Sequence, residues 1–121
     1  MEVVAVIGAS SDPSRYAYKC MEMLEEYGHK PVPVHPREEE VLGHKVVHNL
    51  GELADQKVDT ITVYVNRAIS DKYEKDMIKV HPKRVIFNPG AENPKLAKAL
   101  LDHGIEVENA CTLVLLRTGS Y

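Results

Sequence analysis

The amino-acid sequence predicts an α/β fold in which a parallel sheet is covered by helices on both faces. Short runs rich in β-branched residues alternate with stretches whose apolar residues recur at helical spacing, and glycines or prolines separate the two. Strands that alternate with helices imply right-handed crossover connections and a parallel sheet. The chain has 121 residues, 44% of them hydrophobic and 27% charged, so residues 1–121 are expected to form a single globular domain.

The first strand and the first helix are separated by a loop of small residues. Residues 3–7 form an apolar run of strand length, which stops at Gly8. After residues 8–16, apolar residues recur at helical spacing until Gly28, which is expected to end the helix. The second strand, residues 31–34, contains two prolines, which favour an extended backbone but fit poorly inside a sheet.

The middle of the chain contains two weaker signals and one clear strand. A brief extended piece is predicted around residues 45–47, and Asn49 is placed to cap a short helix that runs to residue 54. Residues 60–65 are almost wholly β-branched or aromatic, so they are predicted as the third strand. A helix over residues 70–80 follows. Its predicted core stripe comprises Ile69, Tyr73, Met77 and Val80.

The last two strands flank a helix that begins at a proline. Residues 84–87 are predicted as the fourth strand, and Pro94 suits the first turn of the next helix. Gly104 ends this helix before the fifth strand at residues 105–107. The side chains expected to face inward from the helix are Leu96, Ala97, Leu100 and Leu101.

Charge and composition exclude several classes of partner. A formal net charge of -3 and a pI near 6.1 provide no general attraction to nucleic acid or to an anionic membrane. No apolar stretch approaches the roughly 20 residues that cross a bilayer, and the N-terminus lacks a signal-peptide pattern, so the cytoplasm is the expected location. The histidines and the two cysteines form no metal-ligand pattern, which predicts no metal site. Whether Cys111, near the candidate site, is functional stays open.

The loops that follow the strands form the candidate site. In open parallel sheets ligands bind outside the carboxyl ends of the strands, where the strand order reverses. A buried strand that leads into a loop of small residues and then a helix presents amide N–H groups to a phosphate. The sequence therefore predicts a nucleotide-like ligand between four loops, residues 8–16, 35–37, 66–67 and 88–93.

The loop after the first strand does not match a nicotinamide dinucleotide fingerprint. That fingerprint reads Gly-x-Gly-x-x-Gly, whereas this loop has Gly8, Ser10 and Pro13 at those positions. The second strand ends in His-Pro-Arg rather than in the carboxylate that binds an adenine ribose. Guanidinium groups pair well with phosphates, and three of them lie at the proposed rim. An adenine nucleotide with an extra ribose phosphate, CoA or NADP, fits Arg15, Arg37 and Arg67 best.

Several short segments together resemble the small stand-alone CoA-binding proteins, which are similar to the N-terminal CoA-binding domain of the succinyl-CoA synthetase α subunit. The resemblance covers nearly the whole chain and rests on the order and spacing of the segments. They read Ile7-Gly8-Ala9-Ser10, Pro13-Ser14-Arg15-Tyr16-Ala17-Tyr18, Pro33-Val34-His35-Pro36, Leu42-Gly43, Asn88-Pro89-Gly90 and Glu108-Asn109-Ala110-Cys111-Thr112-Leu113.

The resemblance implies a Rossmann-like three-layer sandwich whose five-stranded parallel sheet has the strand order 3-2-1-4-5. It also implies that the ligand is coenzyme A or an acyl-CoA. The phosphate loop would map to Gly8, Ala9, Ser10 and Arg15, with Tyr16 beginning the helix behind it.

The same resemblance implies the other ligand contacts. Pro36 and Arg37 would approach the adenosine and its phosphate, next to His35. Two positions depart from the family, because His35 stands where Asn is common and Arg37 stands near where Lys is common. The nucleotide would be bordered by Tyr64, Val65, Asn66 and Arg67, and the pantetheine arm would face Asn88, Pro89 and Gly90.

Catalysis is not indicated by any motif. The resemblance ends before the part of the synthetase that carries its phosphorylated histidine, and no histidine here inherits that role by residue type alone. The chain contains no Gly-x-Ser-x-Gly elbow and no Gly-Lys-Ser/Thr phosphate loop. We therefore expect a non-catalytic protein that binds a small-molecule nucleotide rather than nucleic acid or a membrane.

Two other functions remain open at this point. A small NADP-dependent reductase would use the same loop, although no proton donor is evident. Alternatively, a degenerate nucleotide fold would act as a protein-interaction module. Its apolar run at residues 113–116 would pack against a second copy or an unknown partner, and the same run also suits internal core.

Overall fold

The computed structural model describes residues 1–121 and contains seven strands and five α-helices. Five strands are four or five residues long, and the other two form a short hairpin. The strands are β1 (Val3–Ile7), β2 (Lys30–Val34), β3 (Glu40–Val41), β4 (His44–Lys45), β5 (Thr60–Val63), β6 (Arg84–Phe87) and β7 (Glu106–Asn109).

The helices lie between the long strands and after the last one. Short 3-10 turns occur at Leu50–Leu53, capped by Asn49, and at Asp71–Tyr73. No helix is both long and apolar enough to cross a membrane. The α-helices are α1 (Tyr16–Glu26), α2 (Arg67–Ser70), α3 (Glu74–Val80), α4 (Pro94–Asp102) and α5 (Thr112–Arg117).

The long strands pair in the order β2-β1-β5-β6-β7, and every pairing is parallel. This confirms the predicted Rossmann-like parallel sheet. The order agrees with the 3-2-1-4-5 pattern when the extended segment ending at Val47 is counted as the third strand, because Val47 bridges in parallel to Val34 outside β2. With that segment as the third strand, β5 is the fourth, β6 the fifth and β7 the sixth. The strand predicted at residues 60–65 therefore lies beside β1 in the centre of the sheet, where both of its faces are buried.

The two prolines of β2 lie in a strand that has β1 on one side only. On that side Val34 C=O accepts a hydrogen bond from Gly8 N–H at 3.0 Å, whereas on the outer side Pro33 C=O accepts from Val47 N–H at 2.9 Å. Backbone groups alternate along a strand, so the nitrogens of Pro31 and Pro33 both point outward. No hydrogen bond to β1 is lost, which explains why a strand can form here.

The core has one layer on each face of the sheet. Ala5 and Ile7 of β1 pack on the face covered by α3 and α4, whereas Val4 and Val6 pack on the face covered by α1 and α5. Because β1 is buried on both faces, its sequence is a continuous apolar run rather than an alternating one.

Two apolar side chains predicted to face inward are exposed instead. Ile69 is 41% exposed, because the helical segment begins at Arg67 and passes through the 3-10 turn at Asp71–Tyr73, which changes the phase of the helix. Leu101 is 57% exposed, because Leu96 and Leu100 already form the buried stripe of α4.

The apolar run at residues 113–116 forms most of α5, a helix that the sequence analysis did not predict. Leu113 and Leu116 are buried in the layer that contains α1, while Val114 is 49% exposed. The run therefore belongs mainly to the internal core.

Candidate functional site

Two adjoining cavities lie at the carboxyl edge of the sheet. The first has a volume of about 530 Å³ and the second of about 570 Å³. The two share Gly8, His35, Val65 and Ile69, so they form one continuous groove across the loops after β1, β2 and β5. This is the position expected for a ligand of a doubly wound parallel sheet.

Most of the residues predicted for the site line this groove. Pro36 and Arg37 line the second cavity, whereas Arg67 lines neither cavity and is exposed on α2. The predicted residues that line the first cavity are Gly8, Ala9, Ser10, Arg15, Tyr16, His35, Tyr64, Val65, Asn66, Asn88, Pro89 and Gly90.

Gly8 is required by the backbone where β1 turns into the loop. Its φ is +86°, and a Cβ added there would lie 2.7 Å from Val65 Cγ1. The positive φ disfavours L residues, and the close approach of Val65 leaves no room for a side chain. Only glycine fits at this position.

Three amide groups in and after the β1–α1 loop are free to bind an anion. The N–H groups of Gly8 and Ala9 both donate to Val34 C=O, at 3.0 and 3.3 Å, so those two amides are already used by the fold. Ser10, Tyr16 and Ala17 line the first cavity, and their N–H groups donate to no protein group. The last two open α1, where the helix dipole also favours negative charge.

The tip of the β1–α1 loop is held by its own side chains. Asp12 accepts hydrogen bonds from Ser14 N–H at 2.9 Å and from the Ser14 hydroxyl at 2.8 Å, which lowers the pKa of the Asp12 carboxyl. Ser10 Oγ accepts from Asp12 N–H at 3.0 Å. Arg15 occupies the N-cap position of α1 without a capping side-chain bond, and its exposed guanidinium is 3.9 Å from Asp12.

The loop after β2 is hydrogen-bonded both internally and to the β1–α1 loop. His35 Nδ1 accepts from the N–H groups of Arg37 and Glu38, both at 3.0 Å, and burial lowers the pKa of His35. The Glu38 carboxylate accepts from Ser11 N–H at 2.6 Å and from the Ser11 hydroxyl at 3.3 Å, which lowers the pKa of Glu38. Glu38 is half-buried and joins two loops of the site.

Asn88 lines the first cavity, but its amide group is occupied by the fold. Its Nδ2 donates to Thr62 Oγ1 at 2.7 Å and to Val63 C=O at 2.9 Å, and its Oδ1 accepts from Thr112 N–H at 2.9 Å. The side chain therefore links β5, β6 and α5, and positions the Pro89–Gly90 turn beside the cavity.

Tyr64 contributes to the cavity wall without its hydroxyl group. That hydroxyl is buried without a hydrogen-bond partner on the α1 side of the sheet, and burial raises the pKa of the phenol strongly. Burial also raises the pKa of the neighbouring Cys20 thiol to about 12, so Cys20 is an unreactive core residue.

Several residues of the groove were not predicted from the sequence. In the first cavity they are small or apolar, and in the second they are mostly polar and come from two separate segments of the chain. They are Ala17 and Ile69 in the first cavity, and His48, Asn49, Leu50, Lys72, Tyr73 and Asp76 in the second. Ala91 also lines the first cavity and lies in the loop predicted at residues 88–93.

Comparison with protein families agrees with this architecture. The family model described as CoA binding domain matches residues 2–117. The chain belongs to the CoA-binding domain family. This confirms the family resemblance predicted from its segments.

Relatives of this CoA-binding domain include an enzyme subunit and proteins without an assigned function. The chain is 43% identical over 63 residues to the acetate–CoA ligase [ADP-forming] II subunit alpha of Pyrococcus furiosus, a match covering 51% of the chain and 14% of that subunit. It is 33% identical over 61 residues to the uncharacterized protein YneT of Bacillus subtilis, covering 50% of the chain and 44% of that protein. The matches thus span less than half of either relative.

A solved structure matches this CoA-binding domain over its whole length. It is a crystal structure of an uncharacterized protein, 36% identical, with a TM-score of 0.89, and the alignment covers 100% of the chain and 98% of that structure. The arrangement of sheet and helices described above is therefore shared with a protein of similar size.

No group of three or more His, Cys, Asp or Glu side chains in this CoA-binding domain is placed to hold a metal ion. The groove instead offers amide N–H groups at one end and the cations Arg37 and Lys72 in its second cavity.

Proposed function

We propose that the chain binds CoA or an acyl-CoA along the groove formed by the two cavities. The observation that carries this proposal is the continuity of the groove, from the free amides at the start of α1 to the cations of the second cavity. Membership of the CoA-binding domain family supports the choice of ligand.

In the proposed complex the pyrophosphate lies against the amides of Ser10, Tyr16 and Ala17, which donate to no protein group. A helix N-terminus with free N–H groups is a favourable site for phosphate. Arg15 at the same end supplies an exposed positive charge.

The adenosine and its ribose phosphate occupy the second cavity. Arg37, from the loop after β2, and Lys72, from the 3-10 turn at Asp71–Tyr73, both line that cavity, and both are exposed enough to reach a phosphate. The guanidinium of Arg37 forms paired hydrogen bonds with phosphate oxygens more readily than an ammonium does.

The pantetheine arm lies in the first cavity toward the loop after β6. Ile69, Val65 and Ala91 provide apolar surface there, beside Pro89 and Gly90. The exposure of Ile69, unusual for its residue type, suits a ligand with a long flexible arm.

Calorimetric titration of the chain with CoA, dephospho-CoA, NADP and ATP tests this proposal. We expect CoA to bind most tightly, and stronger binding of NADP or ATP would overturn the assignment. NADP is the arm that tests the alternative of a nicotinamide-dependent reductase.

A second titration tests the ribose-phosphate contact. In Arg37→Ala the preference for CoA over dephospho-CoA should fall by at least about tenfold, because a charge-assisted contact of this kind contributes on the order of 1.5–3 kcal/mol. Arg117→Ala, which removes an exposed arginine far from the groove, should keep the preference of the parent protein.

The physiological acyl group is addressed by native mass spectrometry of protein purified directly from cells. A retained mass equal to CoA or an acyl-CoA is expected, and it would identify the ligand. The proposal includes no catalytic step, and it places the protein in the cytoplasm, where its net charge and composition are ordinary.

A further inference from the structure

The β1–α1 loop is held in place by a carboxylate from another loop. The Glu38 carboxylate accepts hydrogen bonds from the N–H and from the hydroxyl of Ser11, at 2.6 and 3.3 Å. Ser11 directly follows Ser10, whose free amide lines the first cavity. The position of that amide is therefore coupled to the position of Glu38.

Glu38 is in turn held by the ring of His35. His35 Nδ1 accepts the N–H groups of Arg37 and Glu38, both at 3.0 Å, and so closes a tight turn after β2. A ring nitrogen accepts hydrogen bonds only when it carries no proton. A proton on Nδ1 would point at the N–H groups of Arg37 and Glu38, which are also donors. Both hydrogen bonds would be lost, and the turn would have to open.

We propose that His35 and Glu38 are positioning residues that hold the β1–α1 loop in its ligand-binding conformation, so that nucleotide binding requires His35 Nδ1 to be unprotonated. The part of this inference that concerns nucleotide binding rests on the proposed function. The linkage between the two loops does not depend on that function.

The charges around His35 determine the direction of the pH dependence. Burial lowers the pKa of His35 below its ordinary value, Glu38 opposes this effect, and Arg37 and His48 reinforce it. Lys72 and Asp76, from the α2–α3 segment, line the same cavity with opposite charges. The turn is thus intact at neutral pH, and it opens as the pH falls through the lowered pKa of His35.

His48 is expected to respond differently to acid. Its Nε2 lies 2.9 Å from Glu38 C=O and 3.5 Å from the Glu39 carboxylate, so it acts as a donor, and protonation preserves both contacts. The variant His48→Gln therefore serves as a control for acid effects that do not pass through His35.

Two substitutions of His35 distinguish the effect of its hydrogen-bond acceptor from the effect of its titration. In His35→Asn the side-chain Oδ1 occupies the same branch position as Nδ1 and accepts the same two N–H groups, but it does not titrate. In His35→Phe the ring shape is kept and the acceptor is lost.

The affinity for CoA is measured by calorimetry at about pH 8 and about pH 5, on either side of the histidine range. The phosphate of CoA also titrates near pH 6, and comparison between variants cancels that contribution. Relative to His35→Asn, we expect both the parent protein and His48→Gln to lose an additional factor of about ten in affinity in acid. His35→Phe should bind at least about tenfold more weakly than His35→Asn at both pH values.

Identical pH profiles for the parent protein and His35→Asn would overturn the inference, as would normal binding by His35→Phe. If His35→Phe fails to fold by circular dichroism, the comparison with His35→Asn still decides. If the parent protein binds no nucleotide at any pH, the proposed function fails.

A ligand-free measurement then still tests the linkage between the loops. The amide signal of Ser11, followed by nuclear magnetic resonance, should shift with the titration of His35 in the parent protein and stay fixed over that range in His35→Asn. A Ser11 signal that does not shift as His35 titrates in the parent protein would refute the linkage even if CoA binds.

Discussion

At the scale of single residues, Gly8 determines how closely the site approaches the sheet. Its positive φ and the 2.7 Å that would separate a Cβ from Val65 Cγ1 leave no alternative residue. Gly28 also has a positive φ, +84°, but a Cβ there would meet nothing within 4 Å. Substitutions at the two glycines therefore distinguish the free-energy cost of the backbone conformation from that of steric crowding.

Gly8→Ala is expected to lower the free energy of unfolding by roughly 3 kcal/mol, because a strained φ costs about 1–2 kcal/mol and the clash with Val65 adds to it. Gly28→Ala should cost only the first amount. Urea unfolding measures both. In a Val65→Ala background the cost of Gly8→Ala should fall toward that of Gly28→Ala, and an unchanged cost would show that Val65 does not crowd this position.

Asp59 makes stability depend on pH at the opposite edge of the sheet. It is buried, its Oδ2 accepts from Val3 N–H at 2.8 Å, and Lys83 Nζ lies 3.2 Å from its Oδ1. The backbone hydrogen bond from Val3 is the main reason that the pKa of Asp59 lies below 3.8, and Lys83 adds to the effect. The resulting stabilisation is complete above the unfolded pKa and is lost as the pH falls through the folded one.

Asp59→Asn is accordingly expected to lower the unfolding free energy by about 1 kcal/mol at neutral pH, since a charge-assisted hydrogen bond becomes a neutral one. Urea titrations at a series of pH values should find the difference shrinking below about pH 4 and vanishing in stronger acid. A difference that stays constant with pH would contradict the role of the charge.

At the scale of elements, the polar network of Asn88 joins three of them. The amide group links Thr62 and Val63 of β5 to the start of α5 at Thr112, while the residue itself directly follows β6. Thr62 and Thr112 also share a hydrogen bond at 2.8 Å. All of these groups are buried, so the network has no water to replace a missing partner.

Asn88→Ala should lower the unfolding free energy by roughly 3 kcal/mol, because each buried polar group left without a partner costs about 1–3 kcal/mol. Asn66→Ala is the matched control, since Asn66 only caps α2 at an exposed position, and its loss should cost about 1 kcal/mol. Chemical denaturation of both variants checks this order, and equal costs would contradict it.

Elements with strong local signals were predicted well from the sequence. The bounds of β6 and the start of α4 at Pro94 were predicted correctly, because a β-branched run and an N1 proline act locally. The helix α5 was missed because four successive apolar residues carry no helical periodicity. The burial of Ile69 was predicted wrongly because a 3-10 turn changes the helix phase, and apolar spacing does not reveal such a turn.

The candidate site was also predictable in part, from the topology of the sheet. The loops after β1, β2, β5 and β6 follow from the topology rule for parallel sheets, so most groove residues could be named. The bond from Glu38 to Ser11 and the approach of Lys72 and Asp76 were not predictable. They depend on how segments far apart in the chain pack, which no local pattern encodes.

At the scale of the whole molecule, the groove is assembled from segments that span most of the chain. A ligand bound there contacts loops after four strands and stabilises only the folded state. CoA at about 100 times its dissociation constant should therefore raise the unfolding free energy by about 2.7 kcal/mol.

Hydrogen exchange with and without CoA shows which parts of the protein the ligand stabilises. Protection should increase in the loops at residues 8–17, 35–38, 64–66 and 89–91, which line the groove. The amino edge, at residues 81–83 and 103–105, should exchange unchanged. Protection spread equally over both edges would indicate general stabilisation rather than binding in the groove.

The outward-pointing prolines of β2 also bear on self-association. A sheet edge recruits a strand from another molecule through its free N–H and C=O groups. Along β2 the outer nitrogens at Pro31 and Pro33 carry no hydrogen, and the outer carbonyl of Pro33 is already engaged by Val47. This edge of the sheet is therefore a poor template for the addition of a strand from another molecule.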